Sequence, residues 1–106
     1  MPRRNAVTTV ALVVEMHAKE GYEAEVADFL AGAVELANEE AGTPVWFALR
    51  TDPSTFWIVD AFPGDTERQA HLGGPIAAAL TANADRLLAE PLQIRPADVL
   101  ASKVVA

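Results

Sequence analysis

From Val7 to His17 the apolar positions do not choose a side. Val10, Leu12, Val14 and Met16 point one way along an extended chain, while Ala11, Val13, Glu15 and His17 point the other. Most of both sets is apolar, so the pattern predicts a first strand with cover on both faces. From Gly21 to Ala41 the period changes. Tyr22, Val26, Phe29, Leu30, Ala33 and Ala37 recur at helical spacing, and Glu23, Glu25, Asp28 and Glu35 are left for the wet side. Gly32 inside this helix costs about 1 kcal/mol against alanine, which predicts a close packing contact there. Gly42 and Pro44 then stop the helix.

Val45 to Thr51 and Thr55 to Phe62 read as two strands joined by Asp52-Pro53-Ser54. Proline presets φ in that turn and aspartate bonds nearby backbone groups, so an antiparallel hairpin is predicted. Phe56, Ile58, Asp60 and Phe62 share one face of the second strand, with Trp57, Val59 and Ala61 on the other. Pro63-Gly64 breaks the chain before a short helix capped by Asp65 or Thr66 and running to about Leu72. After Gly73-Gly74, Pro75 suits the first turn of a longer helix whose stripe is Ile76, Ala79, Leu80, Ala84, Leu87 and Leu88. Glu90-Pro91 ends it, and Ala97 to Val105 reads as a last strand. The order is β-α-β-β-α-β with the second helix split, which predicts an α+β, ferredoxin-like domain with helices on one face of a four-stranded antiparallel sheet.

Length and composition sharpen this picture. At 106 residues the chain holds one domain, residues 1–106 with a core from 7 to 105. A domain this small buries only about two-thirds of the surface its unfolded chain exposes. Yet 51% of its residues are hydrophobic, so apolar surface is left over for a partner, and a homodimer is expected. The formal net charge of −7 opposes nucleic-acid binding and binding to anionic lipid. No cysteine is present, which removes thiolate catalysis and thiolate metal sites and fits a cytoplasmic setting. Arg3-Arg4 ahead of an apolar run has the outline of a twin-arginine signal, but Thr8 and Thr9 interrupt the run and Glu15 ends it. No segment has the ~18 consecutive apolar residues that crossing a bilayer requires.

Few polar residues fall where the core belongs. Asp60 lies among Phe56, Ile58 and Phe62, and a buried carboxylate needs a donor, a cation or a proton. Two readings stand: it pairs with Arg68 or caps backbone, or it belongs to a site. His71 follows eleven residues later on the short helix, which can fold back over the strand. A carboxylate orienting an imidazole suits general acid–base work, whereas a histidine closing a helix end is a purely structural alternative. Trp46 and Trp57, with Phe47, Phe56 and Phe62, offer walls for a flat apolar ligand, or else core and dimer interface. Arg50, in an otherwise apolar strand, would anchor a carbonyl or anionic group or pair across a dimer. Two distant histidines make no metal site, and no phosphate loop or nucleophile elbow occurs.

The run Phe56-Trp57-Ile58-Val59-Asp60-Ala61-Phe62-Pro63, followed by Arg68-Gln69-Ala70-His71-Leu72, resembles the antibiotic-biosynthesis monooxygenase superfamily. Asp60 matches the acidic position after a strand aromatic, Phe62 the next aromatic, and His71 the helix histidine. Ala78-Ala79-Leu80, Leu87 to Leu92 and Val99 to Lys103 continue the similarity, which covers about Val10 to Val104. The resemblance implies a dimeric α/β barrel and oxidation of a quinol- or anthrone-like aromatic by molecular oxygen without metal, flavin or haem. Under it, Asp60 is the orienting acid and His71 the base, Phe56, Trp57, Phe62 and Trp46 are the walls, and Arg50 is an anchor. The chain departs from the polyketide-oxidising branch in lacking a strand asparagine. It departs from the haem-degrading branch at Val14 and Phe62, where asparagine and tryptophan belong. A non-catalytic, homodimeric small-ligand module on the same fold is the alternative.

Overall fold

A computed structural model describes residues 7–105. Arg3 and Arg4 lie outside the described residues. The element order is β1 (Val10–His17), α1 (Glu23–Gly32), α2 (Val34–Asn38), β2 (Val45–Asp52), β3 (Thr55–Phe62), α3 (Asp65–Leu72), α4 (Pro75–Leu87) and β4 (Gln93–Asp98). The strands form one antiparallel sheet in the order β2-β3-β1-β4. This is the α+β, ferredoxin-like arrangement that the pattern predicts.

The register explains why β1 is apolar on both faces. Leu12, Val14 and Met16 pair with Asp60, Ile58 and Phe56, and this set faces the helices. Val14, Met16, Phe56 and Ile58 form one core with Val26 and Leu30 of α1 and with Leu87 and Leu88 at the end of α4. Each such side chain contributes about 1.5–3 kcal/mol when removed from water. Ala11, Val13 and Glu15 pair with Ala61, Val59 and Trp57, and β2 adds Val45, Phe47 and Leu49 to that side. This second face has no helix over it, and Phe47 is 56% exposed.

Local chemistry accounts for most of the boundaries. Asp52 Oδ1 accepts from the Ser54 and Thr55 amides at 2.9 Å each and so closes the hairpin turn. Pro75 stands at the first turn of α4, where no N–H is needed. Five expectations need correction. The N-cap of α3 is Gly64, with no side-chain capping bond, and not Asp65 or Thr66. The first strand begins at Val10, and Val7 is exposed. The Gly21–Ala41 helix is two helices: the Ala33 amide reaches both Phe29 O and Leu30 O, a tightened turn that divides α1 from α2. Nothing approaches within 4 Å of where a Cβ would stand on Gly32, so that glycine marks the helix end and not a close contact.

The last correction is larger. β4 spans Gln93–Asp98, not Ala97 to Val105, and Leu100, Val104 and Val105 beyond it are exposed. Pro96 hides this strand from the pattern. Proline has no ladder donor, but β4 is an edge strand and one of its sides has no neighbour.

Candidate functional site

Asp60 sits near the end of β3 with its side chain under the helices, and it is 1% exposed. α3 starts three residues after β3 ends and folds back over the sheet, which brings His71 onto Asp60. His71 Nε2 lies 2.9 Å from Asp60 Oδ2, and the Phe62 ring packs against the imidazole at 5.2 Å between centroids. The Nε2–H is not aimed along the line to Oδ2, so the contact is an ion pair and not an aligned hydrogen bond. Both Asp60 oxygens remain buried without a directed donor.

The other ring nitrogen has a partner that the sequence did not disclose. Glu40, just past the end of α2, accepts from His71 Nδ1–H at 2.5 Å. The Thr43 hydroxyl donates to the same Glu40 oxygen at 2.9 Å. Both imidazole nitrogens therefore face carboxylate oxygens, which only accept, and the arrangement suits an imidazolium with both N–H groups in place. The electrostatics agree. Burial acts to lower the His71 pKa, but contacts with Asp60 and then Glu40 outweigh it, and the value is raised above the ordinary histidine value. Arg68 is not the partner of Asp60. It pairs with Asp65 at 2.9 Å and donates to the carbonyls of Ala11 and Ala97. Nor does His71 close a helix end, since its ring is 7% exposed and held between acids.

Asp60 and His71 open onto a cavity of about 40 Å³ between sheet and helices. Leu12, Val14 and Ile58 floor it, Leu80 and Thr81 of α4 roof it, and Leu92 and Ile94 stand at its side. A water needs roughly 10–15 Å³ measured this way, and a benzene-sized guest about 150 Å³, so the cavity at this size admits small molecules only.

The expected walls are dispersed. Phe56 is core, and Arg50 stacks its guanidinium 4.8 Å above the Phe56 ring, away from the cavity. Trp57 lies on the open face, where its indole N–H donates to Thr51 Oγ1 at 2.9 Å. Phe62 touches His71 without lining the cavity. Trp46 stands across from Asp60 in register, with its indole nitrogen buried and unpartnered. Among the described residues, the buried side-chain atoms without a partner are the Glu40 Oε2, Trp46 Nε1 and both Asp60 oxygens. All belong to Asp60, its cross-strand neighbour and the His71 clamp. Among the described residues no cluster of His, Asp or Glu is arranged to hold a metal ion.

A protein of unknown function from Nitrosomonas europaea has a crystal structure that matches this chain at a TM-score of 0.92. The two are 53% identical over 96% of this chain and 99% of that one. The chain belongs to that protein's family. The fold extends to structures of more distant sequence. A "putative antibiotic biosynthesis monooxygenase" from Nitrosomonas europaea aligns at a TM-score of 0.77 and 17% identity, over 87% of this chain and 99% of that one. Another of the same description, from Deinococcus radiodurans, aligns at 0.74 and 16% identity, over 92% and 98%. No protein-family model matches the chain, and neither does any curated protein. The fold is thus shared with proteins described as "putative antibiotic biosynthesis monooxygenase", and no helix among the described residues is long and apolar enough to cross a membrane.

Proposed function

We propose that the protein is a cofactor-independent monooxygenase acting on a small electron-rich aromatic of the quinol or anthrone kind. The observation that carries this reading is the Asp60 carboxylate, buried, without an aligned donor and facing an apolar cavity. Such a group is costly to maintain for stability alone. It is suited to receiving a proton from a ligand that brings an acidic O–H or C–H into the cavity.

In the proposed reaction a substrate CH₂, the anthrone methylene or the ring CH₂ of a quinol's keto tautomer, gives one proton to Asp60. The carbanion passes electrons to O₂, a carbon–oxygen bond forms, and loss of water leaves a carbonyl. One substrate and one O₂ become one carbonyl product and one water, with the Asp60 proton returned to the departing hydroxide. The chain's contribution is to bind, deprotonate and exclude water, with the His71 imidazolium balancing charge beside Asp60. Buried acceptors that outnumber donors favour a substrate arriving with O–H groups over an anion.

The open sheet face supports a homodimer as the working form. Phe47 and Leu49 are exposed beside Val13, Val59 and Trp57, and a second copy laid on this face closes a barrel. The small cavity favours one rival, a homodimeric module that binds a small ligand without chemistry. Aerobic incubation with quinols and anthrones in an oxygen electrode separates the two. The enzyme reading expects uptake of one O₂ per substrate above the uncatalysed rate, and the binding reading expects saturable binding with no uptake.

A further inference from the structure

We infer that Glu40 is a positioning residue of the Asp60 site: its bond to Nδ1 fixes the His71 ring and keeps a cation against Asp60. The inference deepens the function proposed above and rests on that reading for its catalytic consequence. It stands on geometry. Glu40 Oε1 is 2.5 Å from His71 Nδ1 and is braced by the Thr43 hydroxyl, so this side of the ring is held by an aligned bond. The Asp60 side, at 2.9 Å, is not aligned. The ring is therefore oriented by Glu40 and presented to Asp60, not the reverse.

Among the described residues nothing substitutes for Glu40. The ionisable groups described beside His71 are Asp60 from β3 and Glu40 from the segment after α2, and Phe62 supplies only a ring. Glu67, on α3 itself, turns its methylenes towards Gly42, and Arg68 is committed to Asp65 and two backbone carbonyls. Glu40 Oε2 is buried, and a Cβ on Gly74 would stand 3.4 Å from it and 3.2 Å from the His71 carbonyl. A partner that fixes tautomer and orientation of a working imidazole is often as necessary as the imidazole itself.

Proton NMR of the imidazole signals tests this without needing a substrate. The chain has only two histidines, so His71→Gln assigns the signals by loss. Glu40→Gln retains an oxygen that accepts from Nδ1 but removes the charge, and the His71 midpoint should fall. Glu40→Leu removes the bond as well, and the ring signal should also broaden or shift as its position is lost. An unchanged His71 titration in Glu40→Gln overturns the inference, because a space-filling residue would leave it unmoved. With a turned-over quinol or anthrone, Glu40→Gln should lower kcat by about 10-fold to 100-fold with KM little changed. A shifted titration together with wild-type kcat overturns the catalytic half. No turnover in the wild-type protein instead counts against the proposed function, and the titration still decides the role of Glu40.

Discussion

The molecule holds two histidines, and each touches two carboxylates. His71 lies between Glu40 and Asp60 under the helices, whereas His17 lies near Glu15 and Glu90 at the rim of the open sheet face. The residue types are the same and the distances similar: His17 Nε2 is 2.9 Å from Glu15 and 3.6 Å from Glu90. Burial separates them. The His17 side chain is 33% exposed and that of His71 is 7% exposed. Around His17, water screens and replaces each contact, and Glu15 is shared with Arg95 at 3.0 Å. Its carboxyl is held below the usual range first by His17 and then by Arg95, an ordinary consequence of surface pairing. Around His71 the side chains are almost closed to solvent, both Asp60 oxygens lack an aligned protein donor, and a cavity adjoins the pair. A histidine among exposed acids is an ordinary surface pairing; a histidine among buried acids beside a cavity is a candidate site.

That contrast is easiest to break at Asp60. Asp60→Asn keeps shape and removes the proton acceptor, so turnover should fall by about 10²- to 10⁴-fold, the scale of a general base. Steady-state kinetics on folded protein check this, and near-wild-type kcat would leave Asp60 a structural acid. Next, His71→Leu leaves two carboxylates facing each other without a cation. It should cost about 3–5 kcal/mol by urea unfolding, as for other broken buried pairs.

A pH series sharpens the comparison further. The folded His71 pKa is raised, so its contribution to stability is fully present below the unfolded value and is lost as pH rises through the folded one. The wild type should therefore lose stability relative to His71→Gln as pH rises above the unfolded histidine value of about 6.5. Denaturation midpoints for both proteins across a pH series measure this, and a difference constant with pH contradicts the raised value. The smallest effect belongs to the other histidine. His17→Gln should change stability by no more than about 0.5 kcal/mol and leave turnover alone. A large loss of either would erase the distinction between the two faces.

Much of the fold was legible because its signals are local. The double-sided apolarity of β1, the Asp52-Pro53-Ser54 turn and Pro75 at the start of α4 each act within a few residues. β4 was misplaced because Pro96 spoils a strand pattern, while Val99, Leu100, Val104 and Val105 imitate one. Asp60 and His71 could be singled out as polar residues in apolar surroundings. Glu40 could not, for it lies just past the end of α2 and reaches His71 across 31 residues of sequence. Nothing near it in the chain marks it apart from Glu39. The aromatic walls illustrate the same limit. Trp57 and Phe56 are adjacent in sequence and therefore on opposite faces, and only the cover of each face says which one can approach a ligand.

The central claim is that Asp60 takes a proton from an aromatic substrate that then reduces O₂. Oxygen uptake by wild-type and Asp60→Asn protein, side by side on a panel of quinols and anthrones, tests it most directly. The account predicts one O₂ consumed per substrate by the wild type on at least one member, and a rate reduced to near the uncatalysed value in the variant. Uptake at the uncatalysed rate across the whole panel, or equal uptake by both proteins, would contradict it.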